Sequence, residues 1–160
     1  MTHIHPETKI GHVHLTVADL ERSLRFYCDI LGFTVVTKYG DSAVFISAGG
    51  YHHHIGLNTW AGVGVTPPPE GHSGLYHFAI LLPSRRELAT VLERLVEAGY
   101  PISGASDHGV SEAIYVEDPD RIGVELCWDK PKDQWPTSAD GKIAMTTSPL
   151  DLASLLAELK

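Results

Sequence analysis

The chain has 160 residues, enough for one domain or two small, closely packed modules that bury about two-thirds of the unfolded surface. Lys and Arg number 12 against 20 Asp and Glu, a net charge of -8 with His neutral, which argues against a nucleic-acid or anionic-membrane partner because both need basic patches. No apolar run is long enough to span a membrane, and Met1-Thr2-His3-Ile4-His5-Pro6 shows no basic segment followed by an apolar stretch, so a cytoplasmic protein is expected.

The first strand is predicted over residues 10 to 17, with Val13, Leu15 and Val17 on one face and His12, His14 and Thr16 on the other. Asp19 is predicted to cap a helix whose Leu20, Leu24, Tyr27 and Leu31 share an apolar face, and Gly32 to stop it. Strands over 33 to 39, 42 to 48 and 51 to 58 follow, broken by Tyr39-Gly40-Asp41 and Gly49-Gly50. Thr66-Pro67-Pro68-Pro69-Glu70-Gly71 reads as a stiff connector. The pattern then recurs. A strand over 75 to 82 precedes a capping box from Ser84 to Glu87, and the helix behind it turns Leu88, Val91, Leu92, Leu95 and Val96 inward before a stop at Gly99. Strands near 101 to 106, 111 to 117 and 122 to 128 complete the second copy. His12 and His77 each stand seven residues before the helix-opening Asp19 or Ser84, and this repeat is the main argument for the fold. The run from Asp129 to Pro136 reads as irregular. Ser148-Pro149 is predicted to open a last amphipathic helix with Leu152, Leu155, Leu156 and Leu159 on one side, packed on the domain or on another subunit. Cys28 and Cys127 have no Cys-x-x-Cys partner and read as buried free thiols. The expected class is α+β: two tandem β-α-β-β-β modules, about 8–64 and 73–130, in a single domain 1–160 with an extension over 131–160.

Three ligand-type residues, His12, His77 and Glu125, are each expected mid-strand, opposed by apolar neighbours that flip to the other face. Two imidazoles and one carboxylate are the set that holds a non-haem Fe(II) on one side and leaves positions open for substrate and dioxygen. His14, on the face of His12, competes for the role. His12 is preferred because it, and not His14, matches His77 in the repeat.

Residues 8 to 130 resemble the vicinal oxygen chelate superfamily, whose paired modules curl into an open cup-shaped mixed sheet around a metal. Within it, the stretch His108, Ile114, Tyr115, Asp118-Pro119-Asp120-Arg121 and Glu125 resembles the signature of the extradiol ring-cleavage dioxygenases, and Tyr51 to Trp60 resembles a segment of the catechol 2,3-dioxygenases among them. Arg121 stands where the turn normally has Gly, the residue that tolerates positive φ. The tail from Trp135 to Lys160 resembles the end of the first half of longer members, implying a single-domain version. The resemblance implies Fe(II), with Mn(II) possible, a small aromatic diol and O2 as partners, and a homo-oligomer. It implies His12, His77 and Glu125 as ligands, His108 and Trp60 toward the substrate, and Tyr115 and His54 as catalytic groups. Alternation sends His53, Ile55 and Leu57 to the packed face and His52, His54 and Gly56 to the cup face, which is why His54 is expected beside the metal as the acid-base group. Gly56 stands where glyoxalase-type lyases and epimerases carry a fourth ligand. Thiol transferases resembling the fosfomycin-inactivating members share the ligand set but leave His54 and the His108 to Tyr115 signature unexplained. Ligand-sequestering proteins resembling bleomycin-binding members generally lack the set.

Overall fold

The structure, a computed structural model, describes residues 3–160. The chain divides into two compact units, Met1–Thr66 and Pro67–Lys160.

The first unit runs β1 (Val13–Thr16), α1 (Leu20–Leu24), β2 (Thr34–Tyr39), β3 (Ala43–Ser47) and β4 (Ile55–Asn58). Its sheet has the order β1-β4-β3-β2, with β1 parallel to β4 and the other pairs antiparallel. Asp19 caps α1 by accepting the Arg22 N–H at 2.8 Å, and Gly32 ends the helical segment at φ 93°. Between them the expected continuous α-helix is instead one α-helical turn running into a π-helix over Arg25–Ile30. The Leu31 N–H reaches back to the Phe26 carbonyl, and this wider turn seats the adjacent rings of Phe26 and Tyr27, 4.8 Å apart, in the core. Leu15, Val44, Ile46, Ile55 and Leu57 fill that core from one face of the sheet.

Two strands are shorter than their patterns suggest. The ladder opens where the Val13 N–H meets the His54 carbonyl, so His12 precedes β1 instead of lying within it, and residues 51–54 bend ahead of β4.

The second unit runs β5 (His77–Leu81), α2 (Arg85–Glu97), β6 (Gly104–Asp107), β7 (Ser111–Glu117), β8 (Gly123–Asp129), β9 (Ser148–Pro149) and α3 (Leu152–Leu156). Its sheet order is β5-β8-β7-β6-β9, again with the first strand parallel to the fourth. His77 is therefore the first residue of its strand, where the sequence pattern puts it in the middle. Ser84 caps α2 by accepting the Glu87 N–H, and Leu88, Leu92 and Leu95 are buried beneath it. Val96, expected inward, is 57% exposed because it lies about a quarter-turn off the line through those leucines.

Ser148-Pro149 opens no helix. It pairs with β6 as an edge strand, a place where the missing N–H of proline costs no ladder bond, and Asp151 caps α3 in its stead by accepting the Ser154 N–H. Of the four leucines expected on the buried side of this last helix, only Leu155 is fully enclosed. Arg85 at the start of α2 ties the tail down, bonding Glu112 of β7, Glu158 and the Ser154 carbonyl. The Cys127 thiol is buried and is pushed up to about 12 by that burial and by Glu125. Cys28 is half-buried. The class is α+β, with two open mixed sheets, and no helix among the described residues is long and apolar enough to cross a membrane.

Candidate functional site

In the second unit, β8 presents Glu125 on the face opposite to the buried Val124 and Leu126. Register sets Tyr115 of β7 directly across from it and Ala79 of β5 on its other side. The small side chain of Ala79 leaves room for His77, whose Nε2 lies 2.8 Å from Glu125 Oε2. On the second carboxylate oxygen, Oε1, stands the Tyr115 hydroxyl at 3.3 Å, and the same hydroxyl is 2.7 Å from His108 Nε2. Four of the seven expected site residues thus form one continuous chain: His77, Glu125, Tyr115, His108. Burial, reinforced by the Glu125 charge, pushes the Tyr115 phenol up to about 12, so it keeps its proton at neutral pH and acts as a donor.

A cavity of about 730 Å³ opens beside this chain, with His77 and Tyr115 in its wall and Pro67, Pro68 and Pro69 of the connector along its rim. Such a volume accommodates a substituted aromatic ring. The turn before β8 keeps its geometry despite Arg121, which holds φ at 63°. Asp118 braces the turn, its Oδ1 accepting the N–H groups of Asp120 and Ile122 and its carbonyl that of Arg121.

The first unit holds the other three, His12, His54 and Trp60, each among different neighbours. The His12 ring lies 4.3 Å from that of His53, centroid to centroid, and Phe45 is 5.0 Å from His53. Alternation places His53 on the packed face, yet it sits on the face of Phe45, because residues 51–54 bend and strand periodicity does not run through them. Burial first, then the imidazoles of His12 and His52, hold His53 below the ordinary histidine range, so it is neutral at physiological pH. His54 is occupied differently. Its Nδ1 accepts the Ala48 N–H at 3.2 Å and lies 3.0 Å from Ser47 Oγ, which places the proton of the neutral ring on Nε2. His14 lies across Gly56, where a Cβ would come within 2.9 Å of the imidazole. It also packs against Phe45 and Trp60 at 5.6 and 5.2 Å. Trp60 is itself 60% exposed, with its indole N–H on Ser42 Oγ.

Among the described residues no three His, Cys, Asp or Glu side chains are gathered as a ready metal cage. The second unit offers a two-donor pair, His77 with Glu125, whose imidazole and carboxylate suit a divalent non-haem metal.

A model of the Glyoxalase/Bleomycin resistance protein/Dioxygenase superfamily matches residues 9–126. The chain is 44% identical over 158 residues to a catechol-2,3-dioxygenase of Bacillus subtilis, covering 99% of this chain and 54% of that protein. It is 30% identical over 118 residues to biphenyl-2,3-diol 1,2-dioxygenase 2 of Rhodococcus globerulus, covering 74% and 61%. The chain therefore spans between half and two-thirds of the length of these relatives. Among solved structures, a glyoxalase/dioxygenase from Nostoc punctiforme shares the fold with a TM-score of 0.66 at 19% identity, covering 82% of this chain and 99% of that one.

Proposed function

We propose that this chain, which belongs to the glyoxalase/bleomycin resistance protein/dioxygenase superfamily, is an extradiol ring-cleavage dioxygenase that opens a small aromatic diol beside its two hydroxyls with uptake of O2. The observation that carries this reading is the unbroken chain from His77 through Glu125 and Tyr115 to His108. It couples a metal-type donor pair to a pair able to handle a proton, beside a ring-sized cavity. The relatives named as diol dioxygenases support the same class.

We assign His77 and Glu125 to Fe(II), with Mn(II) as the alternative, and keep His12 as the third ligand that the family resemblance implies. Such a metal, when bound, holds the diol oxygens and O2 together so that electron density passes from ring to oxygen. The protein's own part is to orient and to move protons. Tyr115, protonated at neutral pH, and His108 behind it address the diol hydroxyl. His53 is neutral, and its Nδ1 stands 2.7 Å from His52 Nδ1; with its hydrogen on that nitrogen its Nε2 is bare to accept a proton, and in that tautomer it is the acid-base group we assign. His54, expected for that role, has its Nδ1 engaged by the Ala48 N–H and braces the bend. Trp60 and His14 supply an aromatic surface for the ring.

Oxygen-electrode traces with Fe(II)-loaded protein test the class. Uptake with catechol, methylcatechols or dihydroxyphenyl acids, together with a yellow ring-fission product, is the expected result. No uptake with any of them, alongside activity on a thiol adduct or an epoxide, would refute it. The assignment of the acid-base group has its own test. His53→Ala is expected to lose about 100-fold or more in turnover, the scale of a removed general acid or base, while His54→Ala loses less. The reverse order would return the role to His54.

A further inference from the structure

We propose that the C-terminal segment is a positioning strap: the Thr146 carbonyl fixes the tautomer of His108 and so turns the Tyr115 proton away from Glu125. The inference rests on the assignment of Glu125 as a metal ligand. The segment is anchored on both sides of Thr146. Upstream, the Trp135 indole N–H bonds the Lys130 carbonyl at 2.7 Å and the Ala144 N–H bonds the Pro136 carbonyl. Downstream, Ser148-Pro149 pairs with β6 and α3 is held by Arg85. Between these anchors the Thr146 N–H donates to the His108 carbonyl at 3.0 Å, and the Thr146 carbonyl stands 3.0 Å from His108 Nδ1. Thr146 thus grips both backbone and ring of His108, with the Thr147 hydroxyl standing farther off, 3.3 Å from the same Nδ1. Gly109 permits the approach: it holds φ at 77°, and a Cβ there would fall 2.9 Å from Pro136 Cγ and 3.1 Å from Thr146 Oγ1.

A carbonyl oxygen can only accept, so Nδ1 carries the hydrogen, and the neutral ring shows a bare Nε2 to the Tyr115 hydroxyl. That hydroxyl has one proton and two acceptors, His108 Nε2 at 2.7 Å and Glu125 Oε1 at 3.3 Å. With Nε2 bare, the proton goes to the shorter bond. In the opposite tautomer His108 would donate to the phenol oxygen, and the phenol proton would be driven onto Oε1, occupying a lone pair that the ligand needs. Outer partners of this kind set ligand geometry and basicity.

Nitrogen NMR of metal-free protein labelled in histidine reads the tautomer directly, with the His108 signals identified by their loss in His108→Gln. The expected spectrum has a protonated Nδ1 and a bare Nε2. Gly109→Ala and Thr146→Pro, which lift the strap, are expected to give a mixture of tautomers and to weaken Mn(II) binding, measured by calorimetry, by roughly 10-fold. A wild-type ring protonated on Nε2 overturns the proposal without any variant, and so does a strap-lifted protein that keeps Nδ1 fully protonated. If the tautomer is as stated but no catechol drives oxygen uptake, the strap stands and the dioxygenase reading falls.

Discussion

Gly123→Ala is expected to melt roughly 10 °C below the parent protein, a loss of about 3 kcal/mol, and to lose its metal pair with it. Gly123 lies opposite His77 where β8 runs parallel to β5. A Cβ built there would fall 2.2 Å from the Tyr76 carbonyl oxygen and 3.0 Å from the His77 Cβ. The first obstacle is backbone, which no rotamer change can clear, so β5 must be pushed off β8 and the His77 imidazole drawn away from Glu125. Thermal denaturation and metal analysis of the same preparation check both halves of the expectation. A protein that melts like the parent and keeps its metal would show that the two strands are not held this closely.

Glu125→Gln is the second large effect. The amide keeps the shape of the side chain and its contact with Tyr115, but it loses the charge that balances a divalent ion and the oxygen that faces His77. Metal content after purification is expected to fall to background, and oxygen uptake with catechols to drop by more than the roughly 100-fold that marks the loss of an outer partner. Full metal retention would remove Glu125 from the ligand set.

Alternation located what paired strands enforce. Val13, Leu15 and Val17 on one side, and Glu125 against Val124 and Leu126 on the other, follow from a period of two in segments whose ladders are intact. The rule failed where no ladder exists. Alternation sends His53 to the packed face as if residues 51–54 were strand, whereas the bend before Ile55 sets it beside His12. The π-turn over Arg25–Ile30 left no mark in a sequence whose apolar spacing equally suits an α-helix. Gly123 and the strap at Thr146 were invisible for another reason: the closeness that Gly123 permits and the grip on His108 both come from chain distant in sequence, which no local pattern carries. The contribution of Pro67, Pro68 and Pro69 to the cavity lining likewise goes beyond the spacer role that a proline run suggests.

The parallel pairing of first with fourth strand, Val13 with Ile55 and His77 with Gly123, also orders the events by which each unit forms. The meanders β2-β3-β4 and β6-β7-β8 are built from near neighbours and close cheaply, whereas docking β1 or β5 closes a loop around the whole unit and must meet that entropy before any contact repays it. Pairing of His77 with Glu125 is therefore expected to come late, after β8 has joined its antiparallel neighbour. A divalent ion bound by that pair is then expected to slow unfolding more than it speeds folding, which stopped-flow traces with and without Mn(II) check.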